Sequence, residues 1–317
     1  MDASAEGPPA ADRGFVPWSG RDDGPEPEHA RWHNVVRGWV PGEPLPDDAV
    51  VLVGFASDEG VRRNGGRVGA AAGPGALRAA LASLSDPGRR VFDAGDVVVA
   101  DGDLEGGQAR LGRLVGAVLE AGGLPVVLGG GHEVAYGSYL GWAPRAAAGE
   151  SWRVVNVDAH FDLRSADRAT SGTPFAQMAA DEECAGRRVD YAVAGISAAN
   201  NTRALFEAAR RICTRVLLDE DCSAGEAAEF VHARQIPPPR VHLSIDLDAL
   251  PASVAPGVSA PAGFGIGLDA VRAIVRTVVG AGQLGLLEVA ELNPAFDIDG
   301  RTARTAARLV DLAVRRG

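Results

Sequence analysis

The sequence predicts a three-layer α/β/α sandwich with a central, mostly parallel sheet of about eight strands, and three observations support this. Short runs rich in Val, Ile and Leu alternate along the chain with Ala-, Leu- and Arg-rich stretches of helical period. The runs are almost continuously apolar, as strands covered by helices on both faces must be. Polar residues gather where the runs end, which is where open parallel sheets hold their ligands.

Taken in order, residues 1–14 mix Ala, Gly, Pro and Asp without periodicity, which predicts a disordered tail ahead of one domain over 15–317. Between Trp18 and Trp39 three tryptophans lie among charged residues; a helix is expected to begin near Pro27 and pack its aromatics on the main body. Strands are then expected at VVLVGF (50–55), RVFDAG (90–95), PVVLGG (125–130), RVVNVDAH (153–160), YAVAGI (191–196), RVLLDE (215–220), VHLSIDLD (241–248) and LGLLEVAEL (284–292). Helical periodicity places helices between most of them, for example over 75–83, 104–122, 201–211, 268–279 and 301–315. No repeat of 20 to 50 residues is evident, so a solenoid is not supported.

Composition narrows the partner. Hydrophobic residues make up 46% and charged residues 23%, with no apolar run near the roughly 18 residues of a membrane span. A formal charge of −11 disfavours nucleic acid and anionic membrane, which bind through clustered cations, and leaves a small molecule as the better partner. The N-terminus lacks a basic region followed by an apolar one, so a cytoplasmic location is expected. Cys184, Cys213 and Cys222 are odd in number and lack zinc-type spacing, which predicts free thiols.

The chemistry concentrates at three strand ends. PVVLGG runs into Gly129, Gly130, Gly131, His132 and Glu133; VVNVD runs into Asp158, His160 and Asp162; HLSID runs into Asp246 and Asp248. In extended backbone the side-chain period is two, so Asp158, His160 and Asp162 are expected on one face, as are Asp246 and Asp248. His132 is expected on a loop that the missing side chains of Gly129 to Gly131 allow to turn sharply. Either a lone D-x-D or a lone His is ordinarily structural; the three groups together point to metal. Four carboxylates and two imidazoles without sulfur suit Mn²⁺ better than structural zinc. Four converging carboxylates repel strongly, and two divalent cations balance their charge.

Glu291 also follows a strand and could hold a cationic substrate group. Glu133 reads as a helix-start acid that supports its loop. His242 reads as packing behind the site, and His29, His33 and His232 as helical or surface residues.

The motifs GGGHE, DAHFD and SIDLDALPASVAPGVSAP resemble the signature of the ureohydrolase superfamily, which holds arginases, agmatinases and formimidoylglutamases. WSGRDDG, RWHNVV, EGVRRNGGRVGAAAGP, SGTPF, GISAANNTRALFE and AELNPAFDIDGRTARTAARL are similar to the formimidoylglutamase subgroup, so that the likeness spans about Trp18 to Val310. The resemblance implies an arginase-like fold with two Mn²⁺ per subunit. One ion would take His132, Asp158, Asp162 and Asp246; the other Asp158, His160, Asp246 and Asp248, with Asp158 and Asp246 bridging. Arginases and agmatinases carry a further histidine where this chain has Thr170 to Pro174, which argues against a guanidinium substrate. Where arginase binds the substrate carboxylate through an asparagine, this chain has Arg164, able to pair bidentately with a carboxylate.

The activity so implied is hydrolysis of N-formimidoyl-L-glutamate to L-glutamate and formamide, a step of histidine degradation, by water activated between the two ions. Asp162 would pass a proton to the departing nitrogen and Glu291 would orient the amidinium. Arg164, then Arg67, Asn200, Asn201 and Arg203, would hold the substrate carboxylates, with Arg62 and Arg63 as weaker candidates. The alternative is a ureohydrolase acting on a guanidino acid and releasing urea. A rival of another class is a metal-dependent binding protein without turnover. The superfamily commonly forms closed homo-oligomers, and the same is expected here.

Overall fold

The computed structural model describes residues 10–232 and 237–316. In chain order its elements are α1 (Trp32–Val35), β1 (Arg37–Gly38), β2 (Val50–Ala56), α2 (Glu59–Arg63), α3 (Gly73–Ala82), β3 (Val91–Val98), α4 (Leu104–Glu120), β4 (Leu124–Leu128), α5 (Val134–Ala147) and β5 (Trp152–Val157). There follow α6 (Pro174–Cys184), β6 (Tyr191–Ile196), α7 (Arg203–Arg211), β7 (Arg215–Leu218), α8 (Ala224–Val231), β8 (Arg240–Asp246), α9 (Leu268–Gly280), β9 (Leu284–Ala290) and α10 (Arg301–Val314).

Among the described residues nine strands join one sheet in the order β1-β3-β2-β4-β9-β8-β5-β6-β7. Every neighbouring pair runs parallel. The eight strands read from the sequence are all present, and the ninth, β1, is only two residues long. Strand β2 shows why the runs are continuously apolar. Val50 and Leu52 pack into a core shared with α3, α8, α9 and α10, whereas Val51, Val53 and Phe55 pack into a second core with α4, α5, α6 and α7. Alternate residues face opposite layers, and both layers are apolar. The three-layer sandwich follows.

Two N-terminal expectations are revised. Residues 1–9 of the expected tail lie outside the described residues, but Asp12 and Arg13 are held in place. Arg13 exchanges backbone hydrogen bonds with Asp96 (3.0 and 2.8 Å), and the Asp12 carboxylate accepts from the Val98 N–H at 2.7 Å. This approach needs Gly95, where a Cβ would stand 2.0 Å from the Arg13 carbonyl oxygen. The helix expected near Pro27 is reduced to a single 3₁₀ turn, Pro27–His29, and the four-residue α1. The aromatics nevertheless pack on the body as expected. Trp32 is fully buried and donates to Asp311 at 3.0 Å, and Trp18 stacks over it and donates to Asp93.

The topology fixes where a ligand can bind. Strands β4 and β5 are consecutive in the chain but lie on either side of β9 and β8, so the direction of winding reverses between them. At such a reversal the loops leaving the carboxyl ends part and open a crevice. His132 follows β4, Glu291 follows β9, Asp246 ends β8 and Asp158 follows β5.

Candidate metal centre

All six predicted donors meet at that crevice, in two overlapping groups. In the first, one donor atom each from His132, Asp158, Asp162 and Asp246 lies within 4.8 Å of the others; in the second, Asp158, His160 and Asp248 do the same. Asp158 belongs to both. His132 Nδ1 stands 3.1 Å from Asp158 Oδ2, 2.9 Å from Asp162 Oδ2 and 2.9 Å from Asp246 Oδ2. His160 Nδ1 stands 3.0 Å from Asp248 Oδ2 and 3.6 Å from Asp158 Oδ1.

The donors converge for reasons the strand period did not supply. Strand β5 stops at Val157, so Asp158, His160 and Asp162 leave from a loop, and Asp162 takes a left-handed backbone (φ 49°) that side chains rarely adopt. Asp246 is the last residue of β8, and Asp248 lies in a 3₁₀ turn. The glycines before His132 act by close approach and not by turning. None of Gly129, Gly130 and Gly131 is among the positive-φ glycines, but a Cβ at Gly130 would lie 1.8 Å from the Ser57 carbonyl oxygen.

Each donor is held from behind. His132 Nε2 pairs with Ser244 Oγ at 2.9 Å, which turns Nδ1 toward the carboxylates. Asn156 donates to Asp158 Oδ2 (3.0 Å), the His160 N–H to Asp158 Oδ1 (2.6 Å) and the Asp248 N–H to Asp246 Oδ1 (2.8 Å). His242 packs behind the site as expected, fully buried between Glu288 (3.0 Å) and the Trp142 N–H (3.3 Å).

The electrostatics call for cations. Burial, then the neighbouring Asp248 and Asp158 carboxylates, push Asp246 well up from the usual carboxylate range. Burial and Asp158 push Asp162 up to about 6, and Asp248 raises His160 to about 12. Four clustered carboxylates are thus balanced only by protons on their neighbours. His132 Nδ1 and Asp248 Oδ1 are buried and make no hydrogen bond, although His132 Nδ1 faces three carboxylate oxygens. A set of oxygen and imidazole donors facing one another without hydrogen bonds fits hard or borderline divalent cations.

A cleft of about 220 Å³ opens over these donors. Glu291 closes its floor, with φ 67° and Oε1 accepting the His132 N–H at 2.8 Å; Oε2 is buried and unpartnered. Burial and the neighbouring Glu133 push Glu291 up to about 8. Glu133 supports the loop as expected, accepting from Ser57 Oγ and the Gly60 N–H, each at 2.9 Å.

The residues read as substrate ligands divide. Arg164 lines the cleft, and its exposed guanidinium makes no hydrogen bond or ion pair with a described residue. Asn201 also lines it, but its amide is committed: Oδ1 accepts the Phe161 N–H at 3.1 Å, and Nδ2 donates to the Ala159 and Ser197 carbonyls at 2.8 and 2.9 Å. Arg67, Asn200 and Arg203 do not line the cleft. Arg67 donates to the Ser259 and Val258 carbonyls and stacks on Phe296, Asn200 is exposed, and the Arg203 side chain projects into solvent near Glu207. Arg62 and Arg63 are tied to Glu59, and Arg63 also to Glu105. The sequence reading missed Asn64, Ser171 and Ser259, polar residues of the cleft wall; Asn64 donates to Ser171 Oγ at 3.2 Å. Asn64 and Ser171 stand in the RRNGG and SGTPF segments quoted above, which was the available signal. Cys184, Cys213 and Cys222 form no disulfide.

Comparison with known proteins agrees with this geometry. A model of the arginase family matches residues 48–314. The chain is 54% identical to the formimidoylglutamase of Nocardia farcinica, over 94% of this chain and 96% of that one. It is 48% identical to the formimidoylglutamase of Chromobacterium violaceum, over 92% and 95%. Among solved structures, the formiminoglutamase of Trypanosoma cruzi with Mn²⁺ superposes with a TM-score of 0.74 at 27% identity, covering 84% of this chain and 92% of that one. The formimidoylglutamase of Bacillus subtilis shares the fold, with a TM-score of 0.79 at 22% identity over 90% and 91%.

Proposed function

Because the chain belongs to the arginase family, we propose that it hydrolyses N-formimidoyl-L-glutamate to L-glutamate and formamide at a binuclear manganese centre, in histidine degradation. The observation that carries this reading is Arg164, without a side-chain partner among the described residues, on the wall of a cleft lined by five of the six candidate metal donors and Glu291. The reading is supported by the relatives named formimidoylglutamase, which are about half identical over nearly the whole chain.

His132, Asp158, Asp162 and Asp246 would hold one ion and Asp158, His160 and Asp248 the other. Bound cations supply a water whose pKa is lowered toward neutrality. The chain's own residues do the rest. Glu291 Oε2, buried and unpartnered, accepts the N–H donors of the cationic formimidoyl group, and the His132 N–H fixes its other oxygen in place. Arg164 pairs with a glutamate carboxylate in fork geometry, with Asn64, Ser171 and Ser259 as neutral partners along the wall. Asp162 moves the proton released by the attacking water to the departing glutamate nitrogen. The cleft's small volume limits solvent beside the reacting carbon.

The proposal extends to a cytoplasmic homo-oligomer whose catalytic domain spans 15–317. No helix among the described residues is long and apolar enough to cross a membrane. The deciding experiment incubates manganese-loaded protein with formimidoylglutamate, arginine, agmatine and guanidinobutyrate, and assays glutamate and urea separately. Glutamate from the first substrate alone is expected; urea without glutamate refutes the assignment.

A further inference from the structure

Arg164 lines two cavities. Besides the cleft over the metal donors, it forms part of the wall of a second space of about 480 Å³, bounded by the loop 163–169 and by α6 and α7. The second space is lined by none of the metal donors and not by Glu291. The stem of Arg164 is fixed where the two meet. Its backbone N–H donates to the Gly172 carbonyl at 2.9 Å, and a Cβ on Gly172 would stand 2.7 Å from its Cδ. Its guanidinium, without a partner among the described residues, is free to turn about its last torsions toward either cavity.

The second space carries charges of both signs. Arg168 and Arg211 share its wall with Arg164, and so do Asp167 and Glu183. All five are exposed. Arg211, Asp167 and Glu183 have no side-chain partner among the described residues, and Arg168 comes no nearer than 3.6 Å to Glu105, which Arg63 already holds. Gln177 lies a turn into α6 with its Oε1 2.9 Å from the Thr173 hydroxyl, which leaves the amide N–H groups as donors to the space. Most of the remaining lining is alanine, so no bulky side chain fills the volume. Three guanidiniums, two carboxylates and an amide are the complement of a molecule that bears two carboxylates and an ammonium. Each ligand carboxylate pairs with a guanidinium in fork geometry, and the ammonium with a carboxylate of the wall. A simple anion would be repelled by Asp167 and Glu183, and a simple cation by the three arginines.

We propose that this space is a second binding site for an amino dicarboxylate, the chemical class of the product named above, and that a molecule held there draws Arg164 out of the cleft and so competes with substrate without reaching the metal donors. The competition rests on the functional reading above, which gives Arg164 its role in substrate binding; occupancy of the second space does not. The probe is L-glutamate, titrated calorimetrically into the manganese-loaded full chain and added as an inhibitor of formimidoylglutamate hydrolysis. The wild type is expected to bind it, with a raised KM and an unchanged kcat. Arg211→Gln should weaken both binding and inhibition about tenfold, the loss of one charge-assisted pair. Without glutamate, its kcat and KM should stay within about twofold of wild type, since Arg211 lies outside the cleft. Glu183→Gln should weaken L-glutamate but not glutarate, which keeps both carboxylates and lacks the ammonium. Neither side chain has a partner to lose among the described residues, so unchanged thermal unfolding checks that both variants fold. Glutamate binding that neither substitution alters overturns the second site and places the product in the cleft alone; absence of binding overturns it as well. Binding that depends on Arg211 while inhibition does not overturns the competition through Arg164. Binding that depends on Arg211 in a protein that does not hydrolyse formimidoylglutamate overturns the functional reading and keeps the site.

Discussion

Asn201 distinguishes a substrate ligand from a scaffold, and its replacement by alanine separates the two roles. In the fold its Oδ1 is the acceptor for the buried Phe161 N–H, and its Nδ2 serves the Ala159 and Ser197 carbonyls. Both carbonyls keep a second donor, since Ser197 N–H reaches Ala159 O at 3.1 Å and Asn200 N–H reaches Ser197 O at 3.2 Å. Only the Phe161 N–H is left without a partner. An unsatisfied buried N–H costs about 1–3 kcal/mol and each of the two lost carbonyl bonds about 0.5–1.5, so Asn201→Ala should destabilise the protein by roughly 2–6 kcal/mol. The damage falls on the segment between Asp158 and Asp162, the stretch that carries three metal donors. Manganese affinity, measured by calorimetric titration, should therefore fall about 10- to 100-fold, the usual consequence of losing an outer-shell support. At saturating manganese KM for formimidoylglutamate should stay within about threefold of wild type. Unchanged stability and metal affinity with a large rise in KM would refute the scaffold reading and restore Asn201 as a substrate ligand.

Three further outcomes follow from the geometry. Arg164→Gln should raise KM about 10- to 100-fold with little change in manganese affinity or stability, since the guanidinium has no partner among the described residues to lose; unaltered steady-state kinetics would remove Arg164 from the site. Asp248→Ala should abolish binding of one of two manganese equivalents, counted by atomic absorption, and with it glutamate release; two retained equivalents would refute the second donor group. Burial raises Glu133 from 4.5 to about 7, so the folded protein holds an extra proton across that window and stability falls as pH rises through it. The fall attributable to this carboxyl is roughly 3 kcal/mol, and Glu133→Gln should flatten the denaturation free energy between those pH values by about that amount; an unchanged slope would show that Glu133 ionises normally.

The sheet was legible because burial on both faces makes most residues of a strand apolar. Strands β2, β4, β5, β6 and β9 need no partner information to be found. Helix α5 shows the opposite case. It contains Gly137, Gly141 and Pro144, which weaken its propensity, yet it is regular over 14 residues. Its glycines are required by the partner: a Cβ on Gly141 would lie 2.5 Å from Val115 of α4, and one on Gly112 of α4 would lie 2.6 Å from Leu140. Two helices that close are specified by a pairing that a single segment does not display. The N-terminal stretch is similar, since Trp32 is placed by Asp311, distant in sequence, and not by the local helix.

The candidate metal donors are legible in the sequence for a reason distinct from their geometry. Residue type and position at strand ends bring all six together, because a parallel sheet with reversed winding leaves one crevice to which β4, β9, β8 and β5 all lead. The strand period assigned to Asp158, His160 and Asp162 does not apply, because the chain has left β5 before the first of them and orients Asp162 by a left-handed turn. Chemistry and topology thus point to the candidate centre where the strand period does not. The substrate wall had no such constraint. A surface arginine such as Arg67 or Arg203 and a cleft arginine such as Arg164 have the same sequence appearance, and only the fold shows that Arg67 is stacked on Phe296 and Arg203 reaches solvent. The difference is physical. A metal donor must be one of a few residue types and must be oriented by its backbone, whereas a flexible guanidinium takes its role from whatever the loops around it leave unpaired, as Arg164 is left here.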